Sequence, residues 1–229
     1  MRPPARARRS RSAAVRIAAV AVLLCAGQLA AAGVAAATLV IKVRTADGHA
    51  LQGAVVTVRP LDGQVRHLAP LRAVVDQIDR AFSPDLLIIP VGSTVEFPNS
   101  DSVSHQIYSF SPTKRFQLPL YRGKPYPPVH FDQAGVVTLG CNIHDDMLAY
   151  LVVTDAPWYG RTDSAGVWTT ELPHGHYRVA LWHPRLRESD ADLERELTVA
   201  EGDRADLTLS LSKPLQSAPL ADRPHSWDY

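Results

Sequence analysis

A thiol, an imidazole and a thioether stand three residues apart at Cys141, His144 and Met147, in the run Gly140-Cys141-Asn142-Ile143-His144-Asp145-Asp146-Met147. These are the soft and borderline donors that copper prefers, whereas magnesium or calcium would want carboxylates and carbonyls. Met147 is the only methionine after Met1, and Cys141 the only cysteine outside the first 37 residues. Structural zinc sites prefer four Cys or His ligands and rarely take a thioether, and the chain has no second cysteine pair. The run therefore reads as half of a mononuclear copper site.

Type 1 copper takes two histidines and one cysteine in a near-trigonal plane, with a weak axial methionine. The second histidine must come from another strand end. His105 suits this role: it follows the strand Val95-Glu96-Phe97, which breaks at Pro98-Asn99-Ser100-Asp101, and it opens the apolar stretch His105-Gln106-Ile107-Tyr108. His130 is the rival. In Val129-His130-Phe131, ahead of the cysteine strand, it would lie well down the hairpin at about 3.3 Å per residue. His174, His176 and His183 read as solvated rather than as an accessory metal site.

The elements that must hold these donors are short and β-rich. Leu39–Val43, Ala54–Val58, Leu86–Ile89 and Tyr177–Leu181 are apolar or β-branched runs separated by Gly, Pro, Asp and Asn, the pattern of sandwiches or barrels. Residues 1–37 read as an export signal: Arg2, Arg6, Arg8, Arg9, Arg11 and Arg16 precede an apolar stretch from Ile17, and Ala35-Ala36-Ala37 suits cleavage before Thr38. Cys25 leaves with that signal. Loss of those six arginines from 24 basic residues, against 23 acidic ones, gives a mature net charge of about −5. That balance argues against nucleic acid as a partner, because phosphate neutralisation needs clustered cations. One thiol in an oxidising compartment is exposed to oxidation unless something occupies it. No other stretch reads as a membrane span, and the segment from Ser212 to Tyr229 reads as a loose tail.

Residues 73–155 resemble the cupredoxin family of small blue copper proteins. The resemblance lies in Phe82-Ser83-Pro84, Pro90-Val91-Gly92-Ser93-Thr94-Val95-Glu96-Phe97, Asn99, His105, Ala134-Gly135 and the Cys141-x-x-His144-x-x-Met147 loop. It implies a Greek-key β-sandwich in which His105, Cys141 and His144 are strong copper ligands and Met147 the axial one. Asn99 would tie the first ligand loop to the cysteine loop. The family association further implies a one-electron carrier without enzymatic activity, served by a c-type cytochrome or a periplasmic dehydrogenase, as in proteins labelled for methylamine utilisation. Asp145 and Asp146 depart from the apolar loop of the most similar members.

The flanking segments, 38–60 and 156–211, resemble a carboxypeptidase-regulatory, transthyretin-like β-sandwich, through Thr45-Ala46-Asp47-Gly48, Thr162-Asp163-Ser164-Ala165-Gly166 and Leu172-Pro173-His174-Gly175-His176-Tyr177. The chain is thus expected to be all-β, with the cupredoxin inserted into a loop of a second sandwich, exported to the periplasm and monomeric. Ser111 to Pro128, with Lys114, Arg115, Arg122 and Lys124 among Phe116, Tyr121 and Tyr126, is either a docking surface or the cover of a sheet edge. A copper chaperone would use the same donors but usually repeats Met or Cys, a copper oxidase needs further paired-His sites, and a structural sandwich would need no ligands. Asp145 and Asp146 beside the metal favour Cu(II). Spectroelectrochemistry of Asp145→Asn/Asp146→Asn is expected to show a higher reduction potential than wild type; an unchanged potential contradicts this tuning role.

Overall fold

The computed structural model describes residues 36–62, 68–123, 125–188, 190–202 and 204–217. The expected signal over 1–37 therefore lies outside the described residues except for Ala36 and Ala37, as do Lys124 and the chain beyond 217. The described chain is all-β, as its short alternating runs predict. No helix among the described residues is long and apolar enough to cross a membrane.

In chain order the strands are β1 (Ala37–Arg44), β2 (Val55–Pro60), β3 (Arg72–Val74), β4 (Asp76–Ile78), β5 (Ala81–Ser83) and β6 (Leu86–Pro90). β7 (Ser93–Glu96), β8 (His105–Ser109), β9 (Phe116–Tyr121), β10 (Val129–Phe131), β11 (Gly135–Gly140) and β12 (Leu148–Thr154) follow. The last are β13 (Trp158–Arg161), β14 (Val167–Leu172), β15 (Gly175–Trp182), β16 (Glu194–Val199) and β17 (Arg204–Ser210).

Pairing separates them into two groups. β1 lies between β14 and β17, and a second sheet runs β13-β2-β15-β16. Leu39, Ile41 and Val43 alternate along β1 into a core shared with Val56, Val58, Val179 and Leu181, as period-2 side chains must. The intervening strands form a five-stranded sheet, β6-β12-β11-β8-β9, a three-stranded sheet, β10-β7-β3, and the hairpin β4-β5. β6 runs parallel to β12, and β3 parallel to β7. Phe97, Ile107, Phe131, Leu139 and Leu151 fill the core of this second group, and Cys141 and Met147 belong to the same cluster.

The two groups meet face to face. Val55, Leu86 and Val152 form a third buried cluster with Ile88, Val136, Tyr150 and Trp182, and the rings of Tyr150 and Trp182 lie 5.4 Å apart. β6 and β12 are thus covered on both sides, which is why Leu86-Leu87-Ile88-Ile89 and Leu151-Val152-Val153 read as continuous apolar runs rather than alternating ones.

One expectation changes, and one open alternative is narrowed. The segment from Ser212 is tied down as far as 217. Glu188 Oε1 accepts the N–H groups of Ser212 and Lys213 at 2.8 and 2.7 Å, and Gln216 exchanges hydrogen bonds with Arg185. Leu215 packs on the first core. Loss of hydrophobic period had suggested a loose segment, but one half-buried leucine and one carboxylate suffice to hold it. The stretch from Ser111 to Pro128 carries one strand, β9, which is the outer strand of its sheet, with Tyr121 buried and Phe116 packed against the core. Two of its three aromatics are therefore core residues, and the segment covers an edge.

The turn Asp163-Ser164-Ala165-Gly166 joins the first group's sheets. Asp163 Oδ1 accepts the N–H groups of Ala165 and Val167 at 2.9 Å each, and Gly166 adopts φ +70° while its carbonyl accepts the Val43 N–H at 2.8 Å. A Cβ on Gly166 would lie 2.6 Å from the Val43 carbonyl oxygen. Gly166→Ala is expected to cost about 2–4 kcal/mol, left-handed strain and overpacking together. The measurement is urea unfolding, where the midpoint should fall at constant slope; an unmoved midpoint contradicts the close approach.

Candidate metal centre

Two strand ends supply the donors. His105 is the first residue of β8, Cys141 directly follows β11, and His144 lies in the turn from β11 to β12. β8 and β11 are neighbours, with Gly140 opposite Tyr108. A Cβ on Gly140 would stand 2.8 Å from the Tyr108 ring, so only glycine lets that ring pack across the strand beside the cysteine. The Met147 N–H donates to the His144 carbonyl at 3.0 Å and closes the ligand turn.

The donor atoms converge. His105 Nδ1 and His144 Nδ1 lie 3.1 Å apart, and Cys141 Sγ lies 3.9 Å from each. A point in the plane of these atoms is about 2.1 Å from all three, close to the bond lengths that imidazole nitrogen and thiolate sulfur make to a d-block ion. His105 is fully buried and Cys141 nearly so, while His144 is half-buried. Burial, followed by the neighbouring His105, pushes the His144 imidazole below its ordinary pKa and favours the neutral, ligating form. Among the described residues this is the one cluster of His, Cys, Asp or Glu with metal-holding geometry.

Sequence reasoning missed the groups that brace it. Asp101 Oδ2 lies 2.9 Å from His105 Nε2 and accepts the Arg80 backbone N–H at 2.7 Å. The His105 ring, then the Arg80 N–H, hold the Asp101 carboxyl well below the usual carboxylate range. The i, i+4 spacing of Asp101 and His105 was the available signal. Behind the thiol, Gln77 is fully buried and donates to the Pro98 carbonyl at 2.9 Å and to Tyr121 Oη at 2.6 Å; Tyr121 donates to the Phe97 carbonyl at 2.5 Å. Burial pushes the Tyr121 phenol up to about 12.

Asn99 ties a different pair of segments from the one expected. Its amide donates to the carbonyls of Val103 at 3.0 Å and Tyr121 at 2.8 Å, and its Oδ1 accepts the Asp101 N–H at 3.0 Å. These bonds use the amide on its own turn and on β9, so the first ligand turn is fastened to β9 rather than to the cysteine turn. Met147 is buried in the core cluster that contains Cys141. Asp145 is exposed; Asp146 is half-buried, favours protonation of His144, and lines a cavity of about 530 Å³ with Met147, Arg161, His183 and Arg185. His130 is exposed on β10, in the other sheet, opposite Thr94. His174 is exposed, His176 meets Thr198 Oγ1 at 3.0 Å and Asp62 at 3.8 Å, and His183 accepts the Arg185 N–H at 3.2 Å.

Fold and site together define an all-β protein with one thiol and two imidazoles directed at a single point. No family model matches the chain, and no curated protein matches it. Among solved structures it is similar to a purple cupredoxin from Nitrosopumilus maritimus, at 28% identity over 36% of this chain and 99% of that chain, with a TM-score of 0.33. An amicyanin variant in its reduced state matches at 24% identity over 35% of this chain and 80% of that chain, with a TM-score of 0.33. A copper-containing nitrite reductase from Thermus scotoductus matches at 28% identity over 42% of this chain and 25% of that chain, with a TM-score of 0.35.

Alanine at His105, Cys141 or His144 is expected to weaken metal binding at least tenfold in calorimetric titration, since each removes one of three donors. His130→Ala is expected to leave it unchanged; equal losses at His130 and His105 would contradict the assigned triangle. Tyr121→Phe strands the Phe97 carbonyl and should cost about 1–3 kcal/mol of unfolding free energy, measured by urea denaturation; no loss would contradict a buried, satisfied hydroxyl.

Proposed function

We propose that this chain is an exported type 1 copper protein that carries single electrons. The observation that carries the reading is the triangle of Cys141 Sγ and the two Nδ1 atoms, with one point about 2.1 Å from all three. Three lone pairs aimed at one point repel one another unless a cation or a proton lies among them. One sulfur with two imidazoles is a donor set suited to copper. His105, Cys141 and His144 would be the strong ligands and Met147 the axial one. Bound there, copper supplies a one-electron couple.

The protein's own part is to keep the donors still. His105 and Cys141 sit on the ends of adjacent strands, buried in a packed core, so their positions change little whatever the metal's charge. His144 is the half-buried member and its neighbour Ile143 is 50% exposed, which supports electron entry and exit along that edge. The partner would be a redox protein such as a c-type cytochrome or a periplasmic dehydrogenase. The flanking strands would act as a transthyretin-like spacing or binding module around the inserted copper sandwich. Export to the periplasm rests on the basic and apolar character of residues 1–37.

A copper reserve or chaperone would hold the same metal on mobile, exchangeable donors, whereas His105 and Cys141 are held at two adjacent strand ends. The full chain loaded with Cu(II) is expected to show an intense visible thiolate-to-copper band, reversible one-electron reduction and slow loss of metal to a chelator. A colourless product contradicts the copper–thiolate centre. Rapid stoichiometric release to the chelator contradicts the carrier reading in favour of the chaperone.

A further inference from the structure

His105 directs Nδ1 at the donor triangle and turns its other nitrogen to a carboxylate. Nε2 lies 2.9 Å from Asp101 Oδ2; the His105 side chain is 0% exposed and that of Asp101 7%. A carboxylate has no proton to give, so the hydrogen in this contact belongs to Nε2, and the Nδ1 lone pair is left for the triangle. Asp101 is itself held from several sides. Its Oδ2 also accepts the Arg80 N–H at 2.7 Å, its Oδ1 accepts the Ser102 N–H at 2.6 Å, and its own N–H donates to Asn99 Oδ1 at 3.0 Å.

The Arg80 contact comes from a separate element. Asp79 and Arg80 form the tip of the β4-β5 hairpin with φ of 51° and 58°, a left-handed pair that turns the Arg80 N–H toward the carboxylate. The same hairpin is anchored to the Asn99 turn, since the Asp76 carboxylate accepts the Ser100 N–H at 3.1 Å and its hydroxyl at 2.7 Å. Two elements therefore fix one oxygen beside one ring nitrogen.

A carboxylate on the far nitrogen of a ligating histidine sets the tautomer and makes the ring a better donor. Its negative charge, shielded from water, stabilises the more highly charged metal state more than an exposed charge does. Asp145, by contrast, is exposed. We propose that Asp101 is a positioning residue that locks His105 in its Nε2–H tautomer and lowers the reduction potential of metal held by His105, Cys141 and His144. The inference rests on the copper reading given above and deepens it.

The test uses the full chain as wild type, Asp101→Asn, Asp101→Leu and Asp101→Glu, with Asp145→Asn as the exposed-charge control. The first readout needs no metal: nitrogen-15 NMR of the His105 ring. It is expected to report protonated Nε2 in wild type and a mixture of tautomers in Asp101→Leu. A single unchanged tautomer in Asp101→Leu overturns the positioning role. The second readout is the ratio of Cu(II) to Cu(I) affinity. Asp101→Asn keeps an acceptor and removes the charge, and is expected to shift that ratio about tenfold toward Cu(I), equivalent to about 59 mV for a one-electron couple. Asp101→Glu should recover part of the shift and Asp145→Asn should give a smaller one. A shift below about threefold in Asp101→Asn, or an equal one in Asp145→Asn, overturns the potential claim. A wild-type chain without a copper–thiolate band overturns the copper reading and the potential claim with it, while the metal-free NMR still decides the tautomer.

Discussion

Lone pairs on one sulfur and two nitrogens, crowded within 3.9 Å of one another at the edge of a packed core, are the constraint around which this chain is arranged. Such a cluster repels itself and gains nothing from hydrophobic burial, so the fold must hold it by other means. Adjacent strands do most of this. β8 and β11 bring His105 and Cys141 together, and the missing side chain at Gly140 lets the Tyr108 ring pack across β11 beside the cysteine. The turn that carries His144 is closed by one backbone hydrogen bond from Met147.

Around the triangle lies a layer of polar groups that are nearly all satisfied from within. Asp101 braces His105, Asn99 fastens the Asp101 turn to β9, and Gln77 and Tyr121 join two carbonyls behind the site. Breaking one such bond exposes a buried partner and costs more than forming it gains. This layer adds to strand pairing in limiting how far a ligand can drift. The sheet carrying the cysteine is further clamped, since its outer face is sealed by the Val55, Leu86 and Val152 cluster. Strands covered on both faces leave the cysteine behind them little room to move.

Much of this is written locally in the chain. Cys141, His144 and Met147 fall within one turn, and His105 stands where a strand restarts after Pro98-Asn99-Ser100-Asp101, so local pattern was enough to nominate them. The short apolar run Leu86–Ile89 announced a strand, though not that both its faces are covered. What escaped depends on side chains meeting across elements. The role of Asp101 needs the β4-β5 hairpin to deliver the Arg80 N–H, and the partner of Asn99 is chosen by β9 rather than by the cysteine turn. Ser212 to 217 looked loose because two hydrogen bonds to Glu188 and one packed leucine leave no periodic trace. The basic and aromatic stretch after Ser111 showed the residue types of a docking face, yet strand period turned Tyr121 inward and left Leu120 exposed.

X-ray absorption of the copper-loaded chain tests the central claim most directly, because it counts the atoms bound to the ion. The account predicts one short copper–sulfur distance and two imidazole nitrogens near 2 Å, about the lengths a d-block ion takes with these donors. A coordination shell of oxygen and nitrogen alone, with no short sulfur, would show that the metal does not sit among Cys141, His105 and His144.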